Sequence, residues 1–224
     1  MIRTTDTQLI RTYIDNNIGG VLDISYVSEN VFIDIPIDNL RKYISRLAKE
    51  GVIRKVSKGI YLIGESNLDD RERIISHYCN KLGSGMIIGN SLLYKYGYID
   101  EEPEVIEIAT SLTRGNKLIE SLGVQLIESH NGFYNEDTKN VLEAIELLRL
   151  APEINEEDRI SSGFKAMELL QKSYDDKYFN IYIKEFPYSR QVYILLASYL
   201  KKMNISNKVM EYYENYRRIR FRED

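Results

Sequence analysis

The sequence is poor in several residue types that organise other classes of protein. It has a single cysteine, Cys79, no tryptophan, two histidines and four prolines in 224 residues. One cysteine cannot form an intramolecular disulfide, which excludes a disulfide-stabilised scaffold. No apolar run approaches the ~20 residues needed to cross a bilayer, and the polar stretch Met1–Gln8 has no signal-peptide core. We therefore expect a cytoplasmic protein without a membrane partner.

The composition is that of an ordinary globular protein. Hydrophobic residues make up 43% of the chain and charged residues 29%, and the formal net charge is −4. A chain of this length forms one large domain or two small ones. The distribution of charge along the chain says more about function than its total.

A basic amphipathic helix is predicted from Pro36 to Glu50. Proline is tolerated in the first turn of a helix, and Gly51 follows where a helix would end. Apolar residues recur at three- and four-residue intervals and fall on one face: Ile37, Leu40, Ile44, Leu47 and Ala48. Polar residues fall on the opposite face: Asn39, Lys42, Ser45, Arg46 and Lys49.

A short hairpin is predicted directly after this helix. Val52–Val56 and Ile60–Ile63 are runs of β-forming residues, and Ser57–Gly59 between them supplies a tight turn in which glycine takes positive φ. A basic helix followed by a small basic hairpin is typical of a winged helix. In that arrangement the helix enters the major groove and the hairpin, the wing, lies on the flanking backbone.

Positive charge is concentrated in this stretch. Between Pro36 and Lys58 there are seven Lys or Arg and two Asp or Glu, so the segment carries +5 in a chain of net charge −4. A basic patch on an acidic protein favours binding of a polyanion. The alternative is that these are only the solvated cations of a surface helix, but the order of helix and hairpin favours DNA.

The first 64 residues are predicted to form a winged helix-turn-helix domain. Helices over Thr7–Asn16 and Asp23–Glu29 precede the basic helix. Side chains of the third helix would read base edges, and cations of the hairpin would neutralise phosphates. The predicted DNA-binding residues are Asn39, Arg41, Lys42, Ser45, Arg46, Lys49, Arg54, Lys55 and Lys58.

The rest of the chain is predicted to be a separate acidic module. Residues 64–70 form a polar boundary, and residues 64–150 contain eight Lys or Arg and fifteen Asp or Glu, a net charge of −7. Such a region is repelled by a DNA backbone. We expect an α+β protein: a winged helix-turn-helix over 1–64, a mixed α/β domain over 65–150, and a helical C-terminal extension over 151–224 that belongs to the second domain.

The second part mixes helices and strands in the predicted order. Helices are expected at Asp70–Lys81, Asn90–Tyr96 and Thr138–Leu150, and strands at residues 85–89, 105–110 and 124–129. Four further helices are expected near residues 156–172, 177–185, 189–203 and 206–220.

Three segments of the chain resemble the AbiEi family. Leu47–Tyr61 is similar to the family's basic helix end, glycine, wing and Gly-x-Tyr signature. Gly89–Gly97 is similar to the segment that opens its C-terminal domain, with Leu92 where alanine is usual, and Val105–Thr110 is similar to the following strand that ends in Ala-Thr. The resemblance covers roughly residues 5–130, and its distinctive feature is the order of these parts.

The resemblance implies a function. AbiEi proteins are the antitoxins and autoregulators of type IV toxin–antitoxin, or abortive-infection, operons. The N-terminal domain would bind inverted repeats in double-stranded promoter DNA and repress transcription of its own operon. The C-terminal domain would counteract a nucleotidyltransferase-like toxin, with or without direct contact. The alternative is a stand-alone winged-helix transcriptional regulator whose C-terminal domain senses a ligand or dimerises.

Catalytic, metal and cofactor sites are not expected. Two-metal nucleotidyl transfer needs converging carboxylates, but no Asp-x-Asp pair stands at a strand end, and Asp100–Glu102 lies in a predicted loop. His77 and Cys79 are two residues apart, so a helix would place them on different sides, which suits neither metal ligation nor a nucleophile pair. We expect a protein that is not an enzyme and has no cofactor.

The C-terminal residues are rich in arginine. Arg217, Arg218, Arg220 and Arg222 alternate with apolar residues. They could grip nucleic acid by charge and stacking, but cations in a last helical turn also complement the helix dipole, and the second interpretation is favoured.

Overall fold

The fold is described from a computed structural model of the chain, over residues 4–131, 134–182 and 188–220. The helices are α1 (Thr4–Asp15), α2 (Ile24–Asn30), α3 (Ile37–Lys49), α4 (Asp70–Ser76), α5 (Gly89–Lys95), α6 (Glu136–Leu150), α7 (Glu156–Ser173), α8 (Asp176–Tyr182), α9 (Arg190–Lys202) and α10 (Val209–Arg220). The strands are β1 (Val21–Asp23), β2 (Ile53–Ser57), β3 (Ile60–Ile63), β4 (Gly85–Ile88), β5 (Ile106–Thr110), β6 (Lys117–Ile119) and β7 (Val124–Glu128).

This order confirms the mixed α+β fold with a helical C-terminal region. The predicted helices and strands have counterparts, most of them shifted by three residues or fewer at each end. The parts of the predicted helix 177–185 and of the arginine-rich segment that fall on residues 183–185 and 221–222 lie outside the described residues. In the described ranges, each helix is too short or too polar to span a bilayer.

The first sheet lies against the first three helices. Its strand order is β1-β3-β2, and both pairings are antiparallel. β1 has no counterpart among the predicted elements. Its three residues are all buried, so it lacks the alternation that marks a half-buried strand. Leu22 packs in the cluster formed with the first three helices, whereas Val21 packs in a second cluster on the other side of the sheet.

Helix α3 forms because one face of it is apolar. Leu40, Ile44 and Leu47 are completely buried in the core shared with α1 and α2. The predicted members Ile37 and Ala48 are only partly buried. Tyr43 was not among the residues of the predicted apolar face, but it is only 1% exposed and belongs to the packed face. Burial of these side chains fixes the rotation of the helix and turns its opposite face to solvent.

The second sheet is covered on both faces. Its order is β4-β5-β7-β6, with β5 and β7 parallel and the other pairs antiparallel. Met86 and other residues of one face pack against α5, α6 and the C-terminal helices. Ile108, Val124 and Leu126 of the other face pack against α4 and the first sheet.

The two sheets share a core, although the sequence predicts separate domains. Val21, Ile60 and Leu62 of the first sheet pack in one cluster with Ile74 and Tyr78, which follow the predicted boundary. A domain boundary in the usual sense is crossed by few contacts. The division at residue 64 stays a prediction, but residues 1–64 in isolation would expose this apolar face.

Buried polar contacts also join the two parts. The Tyr78 hydroxyl donates to Asp23 Oδ2 at 2.5 Å, and burial together with this carboxylate raises the pKa of Tyr78, so the hydroxyl stays protonated. The Arg73 guanidinium donates to the carbonyls of Gly19, Gly20 and Ile63 at 3.1, 3.0 and 2.9 Å. These contacts fix the orientation of the first sheet on α4.

The predicted helix 70–81 is a composite. Asp69 caps α4 by accepting from the Glu72 amide, and the α-helical part ends at Ser76. The next turn, His77–Lys81, is π-helical. Both ring nitrogens of His77 lack a hydrogen-bond partner among the described residues, and burial, more than the neighbouring Lys81, lowers its pKa to about 4.

This histidine predicts a loss of stability in acid. In the unfolded chain His77 takes up a proton near its ordinary pKa of 6.5, whereas the folded protein takes it up only near 4. Protonation therefore favours unfolding, and between pH 7 and pH 5 His77 should remove about 2 kcal/mol from the free energy of unfolding. Urea unfolding of the wild type and of His77→Phe across this range measures the difference. Equal pH slopes for the two proteins would contradict it.

Candidate nucleic-acid interface

The outer face of α3 carries the predicted groove-facing residues. Because the apolar face is packed, this polar face points away from the core. Asn39 is half-buried, and the others are exposed: Arg41, Lys42, Ser45, Arg46 and Lys49. The structure therefore places these residues where a ligand could contact them.

The hairpin β2–β3 brings the other predicted residues next to this helix. Arg54, Lys55 and Lys58 are exposed, and a register irregularity between Lys55 and Ser57 interrupts the ladder. Gly59 has φ of 82°, which other residues rarely adopt, and its carbonyl accepts from the amide of Ile24 at 2.9 Å. The hairpin tip is thus tied to the start of α2. We name the nine predicted residues on α3 and the hairpin the cationic surface.

Ion pairs on α3 leave most of its charge available. Arg46 lies 4.7 Å from the ring centroid of Tyr43 and 3.7 Å from Glu50, and Arg41 lies 3.5 Å from Asp38. Their side chains are 58% and 61% exposed, and exposed pairs of this kind contribute little. Lys42, with no ion-pair partner among the described residues, is a fully available cation.

Two further cations adjoin the cationic surface, and neither was among the predicted residues. Arg11 of α1 donates to the Tyr43 hydroxyl at 3.0 Å and lies 3.4 Å from Glu50. Lys117 of β6 is half-buried, and burial lowers its pKa; the charge of Asp23 opposes this shift, and the charge of Lys58 adds to it. Both come from elements distant in sequence, so no local pattern could reveal them.

Arg54 differs from the others because it has a partner in the second part of the chain. Its guanidinium pairs with Asp70, the first residue of α4. Arg54 must therefore leave or share this carboxylate to contact a phosphate, which reduces what it can contribute. Asp70 also accepts from Arg73 at 3.3 Å, so this acidic residue links the hairpin to the buried contacts behind it.

Burial raises the pKa of two residues that were considered for catalysis, Cys79 and Glu107. Burial raises the pKa of the Cys79 thiol to about 11, so the nucleophilic thiolate does not form at neutral pH. Burial and the charge of Glu146 raise the pKa of Glu107. Among residues 4–131, 134–182 and 188–220, no group of three or more His, Cys, Asp or Glu is placed to hold a metal ion.

Comparison with known proteins adds little. No family model matches the chain, and no curated protein matches it. Among solved structures, it is similar to the RV2827C protein from Mycobacterium tuberculosis, with 14% sequence identity and a TM-score of 0.31 over 88% of this chain and 82% of that one. A likeness at this level identifies neither a fold nor a family.

Proposed function

We propose that this protein is a transcriptional regulator that binds double-stranded DNA through the cationic surface. The observation that carries the proposal is the exposure of eight of the nine predicted residues on one helix and the hairpin beside it, while the apolar face of that helix is packed. The order of elements from α1 to β3, with the sheet order β1-β3-β2, is compatible with a winged helix-turn-helix, and this supports the same proposal. No catalytic step is assigned.

In this proposal the helix and the hairpin have different roles. The side chains of Asn39, Ser45 and Arg46 would lie in the major groove, where amide, hydroxyl and guanidinium groups discriminate base edges. Lys55 and Lys58 would contact phosphates, which adds affinity but no sequence preference. The acidic second part would stay away from the duplex because its carboxylates are repelled by phosphate.

Paired variants separate these two roles. Lys55→Ala/Lys58→Ala should weaken binding to all duplexes alike. The negative slope of log affinity against log salt should become shallower by about 2. Asn39→Ala/Ser45→Ala should leave the slope nearly unchanged and lower the preference for the promoter over random duplex about tenfold. Fluorescence anisotropy at several salt concentrations measures both quantities. Identical effects of the two pairs would contradict the assignment of roles.

We also propose that the protein is the antitoxin of a type IV toxin–antitoxin operon. The support is the resemblance of three segments to AbiEi proteins, including Gly89–Gly97, which contains the whole of α5. The test is co-expression with a toxin-like reading frame adjacent to the gene. Rescue of growth by the full chain and by a variant that no longer binds DNA would place antitoxicity outside the cationic surface. Failure of the full chain to rescue would overturn the proposal.

The alternative, a stand-alone regulator whose second part senses a ligand, is favoured by one observation. A cavity with buried polar side chains lies between the second sheet and α6. The neighbouring gene distinguishes the two proposals, because an antitoxin requires a toxin gene beside it and a ligand-sensing regulator does not.

A further inference from the structure

A cavity of about 290 Å³ opens where the parallel strands β5 and β7 end. Ala109 and Ile127, which are paired across these strands, form its sheet side, and Leu142 of α6 forms the opposite side. Ligands of α/β proteins commonly bind beyond the carboxyl ends of parallel strands, because chain segments diverge there. The position and the two apolar walls are those of a slot for a flat ligand.

Asn131 supplies an unsatisfied polar group at this cavity. It follows β7, is 8% exposed and is one of the residues around the cavity. Its Oδ1 has no hydrogen-bond partner among the described residues. A buried acceptor without a donor costs free energy, and a ligand that brings an N–H group would remove this cost.

The charges around the cavity disfavour anions. Glu146 is 2% exposed and accepts from Arg149 at 2.7 and 3.0 Å, so these two charges compensate each other. Glu128, at the end of β7, adds a further carboxylate. The balance around the cavity is therefore negative, and a phosphate or carboxylate ligand would be repelled.

We propose that this cavity binds a small uncharged nitrogen heterocycle with an exocyclic amino group, of the class of adenine or cytosine. The flat ring packs between Ile127 and Leu142, and the amino group donates to Asn131 Oδ1. The Asn131 amide nitrogen donates to the ring nitrogen beside that amino group, the pairing by which asparagine recognises adenine edges. A volume near the lower end for ligand sites suits a base and not a nucleotide.

The site does not depend on DNA binding, so the two proposals can fail separately. The first test is methyl NMR of the wild-type full chain titrated with adenine, cytosine or 2-aminopyridine. Methyl signals of Ile88, Ile127 and Leu142 should shift, with one ligand per chain. Pyridine, which has the ring nitrogen of 2-aminopyridine but lacks its amino group, should bind at least about tenfold more weakly than 2-aminopyridine, since the buried Asn131 Oδ1 would then stay without a donor.

A matched pair of variants tests the role of the amide. Asn131→Leu should lower adenine affinity at least about tenfold, whereas Asn67→Leu, in an exposed loop, should not change it. The absence of methyl shifts with all three amines at millimolar concentration would overturn the proposal. So would equal affinity for pyridine and 2-aminopyridine, a comparison that needs no variant, or unchanged affinity in a folded Asn131→Leu protein.

Discussion

Lys42→Glu/Arg46→Glu should weaken binding to the promoter duplex about a hundredfold or more at physiological salt, because two phosphate or base contacts become repulsive. Both side chains lie on the exposed face of α3, and neither belongs to the packed apolar face. The folded structure should therefore be retained. The negative slope of log affinity against log salt should become shallower by about 2, since fewer counterions are released on binding.

A control with the same change in net charge separates this effect from general repulsion. Lys201→Glu/Lys208→Glu changes two exposed lysines at the end of α9 and before α10, outside the cationic surface. It should lower affinity less than about threefold, because screened charges beyond a Debye length contribute little. If the control weakens binding as much as the α3 variant does, the effect is one of total charge and the interface is misplaced.

Arg73→Leu should lower the free energy of unfolding by about 3 kcal/mol, because it removes a buried cation that satisfies several acceptors. The Arg73 side chain is 4% exposed and donates to Gly19, Gly20 and Ile63 across the predicted domain boundary. The carbonyls of Gly20 and Ile63 each also accept from a backbone amide, whereas Arg73 supplies the hydrogen bond to Gly19. Leucine fills part of the volume but donates nothing.

Urea unfolding of the wild type and of Arg73→Leu tests whether the buried contacts hold the two parts of the chain together. Urea unfolding followed by circular dichroism should give one transition for the wild type, since the sheets share a core. Arg114→Leu, at an exposed position in the second part, is the control and should change stability by less than about 0.5 kcal/mol. A loss in Arg73→Leu no larger than in this control would mean that the buried contacts do not hold the two parts together.

The basic helix was predictable because its signal is local. Its apolar spacing, Pro36 and Gly51 all lie within one short stretch, and the same spacing fixes which side chains face solvent. The predicted hairpin is present as β2–β3 for the same reason, with Gly59 at positive φ in the turn. Local patterns of this kind specify an element and its orientation without knowledge of its neighbours.

Contacts between distant segments were not predictable in the same way. Arg73 resembles any surface cation of an amphipathic helix, and only the structure places it beneath Gly19 and Ile63. Val21, Ile60 and Leu62 lie in short buried strands whose sequence gives no indication of a second core. Asn131 follows a predicted strand, a position that could have suggested a ligand site, but its missing partner appears only in three dimensions.

The most direct measurement compares two duplexes with the full chain. One is the DNA upstream of its gene, and the other has the same composition in shuffled order, both at about 0.15 M salt, where non-specific binding is weak. If the cationic surface reads sequence, the upstream duplex should bind at least about a thousandfold more tightly. Equal affinity for the two duplexes would contradict a regulator that recognises its own promoter.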